Sequence, residues 1–333
     1  MASLSELLAK KGILMADGAT GTTLFAMGLE SGEPPELWNT DHPDRITRLH
    51  EGFLEAGADI ILTNTFGANR HRLKLHGAQD RVFELNKRAA EIARAAADAT
   101  GREVVVAGSV GPTGELFVPL GSLTEEDAVE AFTEQAEGLK AGGADVCWVE
   151  TMSSTEEMRA AAQGAINAGM PYTTTASFDT AGRTMMGMKP EEMAGVFEGL
   201  AEPPIAFGAN CGVGAPDLVV SVLGMDGSKE RKIIAKANCG IPVVSGDEVR
   251  YSGTPELMAD YARLAIDAGA SIIGGCCGTT AVHLKAIREA IDSHQRGERP
   301  DRTRIEATIG PLASPPRAEG AEGRRRTSRR ERA

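Results

Sequence analysis

The chain has 333 residues, of which 42% are hydrophobic, and a formal net charge of −12. This length suits one large domain or two small ones, and the acidic balance argues against nucleic acid as the main partner. No apolar run approaches the roughly 20 residues that a membrane span needs, and Met1–Lys11 lacks the pattern of a signal peptide. We therefore expect a cytoplasmic protein that does not bind membranes.

The charge is distributed unevenly along the chain. Residues Arg296–Ala333 carry eleven arginines and six acidic residues, a net charge of +5, which leaves −17 on the preceding part. This segment is rich in Pro, Gly and Arg and has few large apolar residues, a composition typical of disorder. We predict a folded domain over 1–294 and a disordered Arg-rich tail over 295–333. The arginines of the tail could contact acidic partners or RNA, but a solvated tail without a specific role is the simpler interpretation.

Eight short apolar runs alternate with amphipathic helical segments through the predicted domain. The runs are Ile13–Ala19, Asp59–Phe66, Glu103–Pro112, Asp145–Thr151, Tyr172–Phe178, Ile205–Gly212, Ile233–Gly240 and Ser271–Gly278. The helices expected between and after them include Arg81–Ala99, one capped by Thr124, Thr155–Ala168, Pro190–Leu200, one after Pro216, Pro255–Ala268 and one ending near Ser293. The alternation predicts a single-domain α/β fold, a (β/α)8 TIM barrel. A doubly wound open sheet is the alternative, but no G-x-G-x-x-G follows the first run.

Three of the five cysteines stand at the ends of predicted strands. Cys211 ends the sixth run, and Cys276 and Cys277 end the eighth, between glycines. Adjacent residues of a regular strand point to opposite faces, so both sulfurs reach one point only where the backbone turns, as glycine permits. Strands six and eight are alternate neighbours in a barrel, and their tips converge at the catalytic face. The sequence therefore predicts a zinc site with three thiolates and an open position, rather than three small buried cysteines.

The other two cysteines are interpreted differently. Cys239 ends the seventh run and is either a fourth thiolate or, more simply, a small packing residue. Cys147 lies in mid-strand beside Trp148, where core packing is the expected role.

Three thiolates give a zinc site a net charge of −1, which makes it a poor activator of water. Such a site is better suited to binding a fourth thiol and keeping it as a reactive thiolate near pH 7. The expected substrate is a small thiol that attacks an alkyl group.

The residues at the strand ends resemble those of the zinc-dependent homocysteine S-methyltransferases, over about Gly12–Ser293. The likeness is strongest to the betaine-dependent enzymes of bacteria. It rests on six motifs: D-G-A-T-G-T at Asp17–Thr22, T-N-T-F at Thr63–Phe66, G-S-V-G-P at Gly108–Pro112, E-T at Glu150-Thr151, G-A-N-C-G at Gly208–Gly212 and G-G-C-C-G-T at Gly274–Thr279.

The resemblance implies roles for individual residues. The family's zinc ligands correspond to Cys211, Cys276 and Cys277, and the homocysteine sulfur is the fourth ligand. In the methionine-synthase modules of the family, the residue that corresponds to Asn238 can bind the metal when substrate is absent. The anchors of the homocysteine amino-acid group correspond to Asp17, Gly18 and Glu150. Chemically, a carboxylate can accept from the substrate ammonium and glycine-rich backbone N–H groups can donate to its carboxylate; otherwise Asp17 is a turn residue and Glu150 a structural ion-pair partner.

The identity of the methyl donor depends on a loop near the first strand. Trp38 matches a tryptophan of the betaine enzymes and offers an aromatic face to a quaternary ammonium group. Its alternative role is to anchor the loop, and Gly67 stands where the animal enzymes carry an aromatic residue. We predict transfer from glycine betaine, or a similar methyl-onium donor, to homocysteine.

Three alternatives to a betaine-dependent enzyme remain. One is the homocysteine-activating subunit of a split methionine synthase with a cobalamin-protein partner, and another is an S-methylmethionine-dependent enzyme. The third is a non-enzymatic zinc module that binds its partner through the tail. An enzyme is expected to keep its turnover when Arg296–Ala333 are deleted. The sequence leaves the oligomeric state open, a homo-oligomer included.

Overall fold

The computed structural model describes residues 3–225, 232–240, 242–245 and 248–315. Eight parallel strands form one sheet, and two further strands form an antiparallel hairpin. In chain order the strands are β1 (Leu14–Met15), β2 (Ile60–Leu62), β3 (Val105–Val110), β4 (Val146–Met152), β5 (Tyr172–Ala176), β6 (Ala206–Cys211), β7 (Lys232–Ala237), β8 (Pro242–Ser245), β9 (Glu248–Tyr251) and β10 (Ala270–Gly275). The hairpin of β8 and β9, between the seventh and eighth barrel strands, was not predicted.

The large sheet closes on itself as a barrel. Its strand order is β1-β10-β7-β6-β5-β4-β3-β2. A parallel bridge pairs Ala16 with Ile60 and joins the two ends of that order, and the Asp59 N–H donates to the Met15 carbonyl at 2.8 Å. The predicted (β/α)8 barrel is confirmed, and the carboxyl ends of all eight strands face one side.

Twelve α-helices lie in the described part of the chain. They are α1 (Leu4–Lys11), α2 (Thr20–Ala26), α3 (Trp38–Asp41), α4 (Pro43–Glu55), α5 (Arg70–Lys74), α6 (Val82–Ala99), α7 (Glu125–Ala141), α8 (Thr155–Asn167), α9 (Ala215–Gly224), α10 (Pro255–Ala268), α11 (Ala281–Ser293) and α12 (Arg302–Ile309). Thr124 caps α7 as predicted, accepting the Asp127 N–H at 3.1 Å. The helix predicted over Pro190–Leu200 is present only as a 3₁₀ helix over Pro190–Gly195, and Gly199, near the predicted end, has a positive φ of +82°.

Helix α1 packs against the strands of the barrel through its leucines. Its leucines Leu4, Leu7 and Leu8 are buried in one apolar cluster with residues that begin the barrel strands, among them Leu14 and Ile60. This cluster joins α1 to the barrel strands, and sites in such barrels form at the carboxyl ends of the strands. None of the described helices is long and apolar enough to cross a lipid bilayer.

The prediction of disorder is wrong for residues 295–315. Helix α12 packs against α9 and α10, with Ile305 fully buried and Ile309 nearly so. Arg304 donates to the buried Asp267 at 3.0 Å. A composition count averages over the segment and misses two isoleucines four residues apart, which form one buried helix face. Residues 316–333 of the predicted tail lie outside the described residues, and deleting Arg296–Ala333 would now remove part of the core.

The packing of α12 can be checked by a single substitution. We expect Ile305→Ala to lower the free energy of unfolding in urea by about 2–5 kcal/mol, because it leaves a cavity in the core. The exposed Val282, substituted by alanine, serves as control and is expected to change it by less than about 0.5 kcal/mol. Equal stability of the two variants would show that α12 does not belong to the folded core.

Candidate functional site

Three thiol groups meet at the carboxyl end of the barrel. Cys211 is the last residue of β6, and Cys276 and Cys277 directly follow β10. Their Sγ atoms all lie within 4.8 Å of one another. The structure therefore brings together the three cysteines that the sequence singled out, from strand tips 65 residues or more apart in the chain.

The backbone after β10 turns as the two adjacent sulfurs require. A Cβ on Gly275 would lie 2.1 Å from the side chain of Thr279, and Gly278 has a φ of +80°, so both positions favour glycine. The Cys276 N–H donates to the Ala237 carbonyl at 2.7 Å, which fixes the start of the turn on β7. Cys211 itself adopts a φ of +60°, a strained conformation for a residue with a side chain.

Two asparagine side chains hold the cysteine loops in place. Asn238 donates to the Gly212 carbonyl at 2.7 Å and toward the Cys211 sulfur at 3.7 Å, and its carbonyl oxygen accepts the Cys277 N–H at 3.0 Å. Asn210 donates to the Thr151 hydroxyl at 2.7 Å and lies 3.9 Å from the Cys276 sulfur. Asn238, named from the sequence as a substrate or metal position, therefore connects the two loops through both ends of its amide.

The three thiols resist ionisation when no cation is present. Contact with Cys276 lowers the pKa of Cys211, but contact with Cys277 and burial outweigh it and raise this pKa to about 11. For Cys277, contact with Cys211 lowers the pKa, while Cys276 and burial raise it to about 12. A divalent cation would share the charge of three thiolates. The donor set and its spacing fit zinc, whose bonds to sulfur are about 2.3 Å long.

The remaining two cysteines lie outside this group. Cys239 is buried, its sulfur lies 3.4 Å from the Gly253 carbonyl, and burial raises its pKa to about 11. Cys147 is buried with its sulfur 3.6 Å from that of Met170, which confirms the predicted core position. Among the described residues, the thiol group therefore contains Cys211, Cys276 and Cys277 and neither of these.

A buried charged cluster lies inside the barrel, and sequence reasoning missed its cation. Lys236 on β7 donates to Asp17 at 2.8 Å, with side chains only 2% and 1% exposed. The other Asp17 oxygen accepts the Leu62 N–H at 2.7 Å. Burial lowers the pKa of Lys236, but Asp17 and Glu150 outweigh it and raise this pKa, so the ammonium stays charged. The available signal was a lysine inside the apolar run I-I-A-K-A of the seventh strand.

Glu150 on β4 differs from Asp17 in its partners. It accepts a hydrogen bond from the Ser109 hydroxyl at 2.5 Å. Burial raises its pKa, and the charge of Lys236 opposes this effect. Since both Asp17 oxygens are engaged within the protein, Glu150 is the better placed of the two to receive a ligand cation.

Gly18 holds the first strand tip against the turn that follows the adjacent cysteines. A Cβ on Gly18 would lie 2.4 Å from the Thr279 carbonyl oxygen. The neighbouring Ala19 N–H donates to the same oxygen at 2.9 Å. The glycine is thus needed for this close approach, whether or not a ligand also contacts the loop.

Trp38 is placed differently from an open aromatic face. It is only 5% exposed and packs in the main apolar core. The guanidinium carbon of Arg45 lies 4.6 Å from the ring centroid, and His42 meets the ring edge-on at 5.0 Å. One face of the indole is therefore already covered by a cation of the protein itself.

Tyr251, the last residue of β9, was also missed from the sequence. Its hydroxyl lowers the pKa of the Cys277 thiol, and burial and the neighbouring thiols raise the pKa of Tyr251 itself. A Cβ on Gly278 would lie 2.3 Å from its ring. The unpredicted hairpin thus brings an aromatic hydroxyl to the thiol group.

Comparisons with known proteins give the family that this chain resembles. The model of the homocysteine S-methyltransferase family matches residues 14–291. Methionine synthase of Mycobacterium tuberculosis is 31% identical over 305 residues, or 86% of this chain, and that of Mycobacterium leprae is 30% identical over 306 residues. The chain spans only 25% of the length of each of these two relatives.

A comparison with solved structures also finds a homocysteine methyltransferase. The metallated form of the homocysteine methyltransferase MmuM from Escherichia coli is 26% identical, with a TM-score of 0.66. The match covers 85% of this chain and 98% of that one.

The Asp17–Lys236 pair can be tested by a double-mutant cycle. We expect Lys236→Met to lower the free energy of unfolding by about 3–5 kcal/mol, because Asp17 is left buried without a cation. Adding Asp17→Asn removes that charge and keeps an oxygen for the Leu62 N–H, so the double variant should recover much of the loss in urea unfolding. A double variant no more stable than Lys236→Met would contradict a charge-compensating role for Lys236.

Proposed function

We propose, because this chain belongs to the homocysteine S-methyltransferase family, that it transfers a methyl group from a small methyl-onium donor to the thiol of homocysteine and so forms methionine. The family match and the relatives confirm the predicted family and the predicted enzyme class, a methyltransferase that acts on homocysteine. The single observation that carries the proposal is the group of three thiols at the mouth of the barrel, beside a buried carboxylate.

We propose zinc as the cofactor, held by Cys211, Cys276 and Cys277. When bound, zinc lowers the pKa of a further thiol and keeps it nucleophilic near neutral pH. The chain's own part is to keep three sulfurs converged: Asn238 connects the two loops, and the glycine-rich turn after β10 lets adjacent cysteines face one point. No strong general base is needed for this reaction.

The amino-acid group of homocysteine would be held beside the charged cluster. Glu150 accepts from the substrate ammonium, because Asp17 is neutralised by Lys236 and has both oxygens occupied. Asp17 and Gly18 then shape the first strand tip, whose backbone N–H groups face the substrate carboxylate. Holding both substrates in line supplies the other large contribution to rate, because it removes the entropy cost of their encounter.

The chemical step is an in-line displacement. The homocysteine sulfur forms a bond to the methyl carbon as the bond from that carbon to the donor's onium atom breaks, and the electron pair leaves with that atom. The thiol proton is transferred to water beforehand, so the attacking group is the thiolate. With glycine betaine as donor, the products are methionine and dimethylglycine.

We propose glycine betaine, or a related methyl-onium compound, as the donor. The charge of −17 on the chain before Arg296 suits a cationic substrate. The geometry of Trp38 gives this donor little support, because Arg45 covers one face of the indole. An S-methylmethionine donor fits the same site chemistry.

A second candidate function is the homocysteine-activating part of a cobalamin-dependent methionine synthase. It is favoured by the relatives named methionine synthase, of which this chain spans 25%. Exposed apolar side chains in the segments that follow the first, second, third and fifth strands also suit a protein partner. They are Phe25 on α2 and Phe66, Leu116 and Met185 on loops.

A donor screen tests the proposal. Zinc-loaded protein is incubated with homocysteine and betaine, S-methylmethionine or dimethylsulfoniopropionate, and methionine is quantified. We expect methionine from at least one donor without any other protein, and a fall to background in Cys276→Ala. Cys239→Ala is the matched control and should keep both activity and bound zinc, since its sulfur lies outside the group.

Two outcomes would contradict the proposal. Normal turnover in zinc-free protein would exclude the metal centre. Methionine formation only after a methylcobalamin protein is added would replace the small donor by the second candidate function.

A further inference from the structure

The end of the described chain is hydrogen-bonded to the helix that follows the Cys211 loop. Asp217 lies six residues after Cys211 in the first turn of α9 and is 6% exposed. One of its carboxylate oxygens accepts the Ala313 N–H at 2.9 Å, and the other accepts the Ser314 N–H at 2.8 Å. A carboxylate that accepts two backbone N–H groups makes strong, charge-assisted hydrogen bonds, so residues 313–314 are fixed to the start of α9.

The same segment also holds a second loop of the barrel mouth. The Ser314 hydroxyl accepts the N–H of Ala181 at 2.8 Å. Ala181 follows β5 and adopts a φ of +50°, a conformation that costs roughly 1–3 kcal/mol for a residue with a side chain. Such a conformation persists when its surroundings fix it, and the bond from Ser314 contributes to this.

The segment itself is well anchored upstream. Asp267, at the end of α10, accepts the Gly297 N–H at 2.7 Å and a bond from Arg304 at 3.0 Å. Burial acts to raise the pKa of Asp267, but these bonds and the contact with His294 outweigh it and lower this pKa. Together with the buried face of α12, these contacts give residues 313–314 a fixed origin.

The Cys211 loop has little structure of its own to hold it. Between Cys211 and α9 stand Gly212, Val213 and Gly214, and both glycines have positive φ values, of +71° and +140°. Its two ends are therefore set from outside: Asn238 binds the Gly212 carbonyl at 2.7 Å, and Asp217 fixes the start of α9. Between these two anchors Cys211 keeps its strained φ of +60°.

We propose that Asp217, clamped by the backbone of residues 313–314, is a positioning residue that holds Cys211 in the geometry needed for metal binding. The clamp is supplied from outside residues 14–291, the part of the chain that the family model matches. The inference rests on the proposed metal centre at the three cysteines. Partners hydrogen-bonded directly to metal ligands change metal affinity by about 10–100-fold when they are removed. Asp217 acts on Cys211 through the backbone between them, so we expect an effect at the lower end of that range.

The test compares two substitutions in the full-length chain. In Asp217→Asn the amide keeps one oxygen that can accept a backbone N–H. Its NH₂ group then faces the second backbone N–H, so one of the two bonds to residues 313–314 is lost. Ser314→Ala keeps the Ser314 N–H that Asp217 accepts and removes only the hydroxyl. Co²⁺ affinity is measured by competition with a chromophoric chelator, and thiolate ligation by its charge-transfer absorption. We expect about 10-fold weaker Co²⁺ binding in Asp217→Asn and wild-type affinity in Ser314→Ala.

Hydrogen exchange separates a local effect from general destabilisation. In metal-free Asp217→Asn we expect faster exchange at residues 212–218 and unchanged exchange in α7. Unchanged Co²⁺ affinity, or exchange that rises equally in α7, would overturn the role of Asp217. Failure of the wild-type protein to bind Co²⁺ would instead refute the metal centre, so the two ideas fail separately.

Discussion

Three thiols held within 4.8 Å of one another cannot all ionise near neutral pH unless a cation shares their charge. The rest of the barrel mouth depends on this constraint. The turn after β10, the strained Cys211 and the amide of Asn238 all serve to hold sulfurs together that would otherwise repel once ionised. A site with this donor set is matched to a thiophilic metal and, through it, to a thiol substrate.

Charge compensation inside the barrel complements the thiol group. Asp17 and Lys236 form a buried ion pair, and Glu150 has the Ser109 hydroxyl as its hydrogen-bond partner. A second buried carboxylate beside the thiol group, in addition to the one bonded to Lys236, suits a substrate that carries one ammonium and one sulfur. The charged cluster and the thiol group share one chain segment, because Lys236, which binds Asp17, lies two residues before Asn238, which binds the Cys277 N–H.

The sequence predicted the strands and the three cysteines because both follow from local patterns. Apolar runs ending in glycine and polar residues mark strand tips, and parallel strands in a barrel bring such tips together. It could not pair Lys236 with Asp17, since those residues are 219 positions apart and a lysine in an apolar run shows no partner. Tyr251 was missed because its hairpin interrupts the helix–strand alternation. The composition of the C-terminal segment did not predict α12, because two buried isoleucines are enough to pack a helix against the domain in an otherwise polar segment.

The proposed metal centre has three cysteine sulfurs on one metal and one position left for the substrate sulfur. X-ray absorption at the zinc edge of the loaded protein counts sulfur neighbours directly. We expect three sulfurs at about 2.3 Å without homocysteine and four with it, whereas added methionine should leave the count at three. Fewer than three sulfurs at the start, or a count that homocysteine does not change, would contradict the claim.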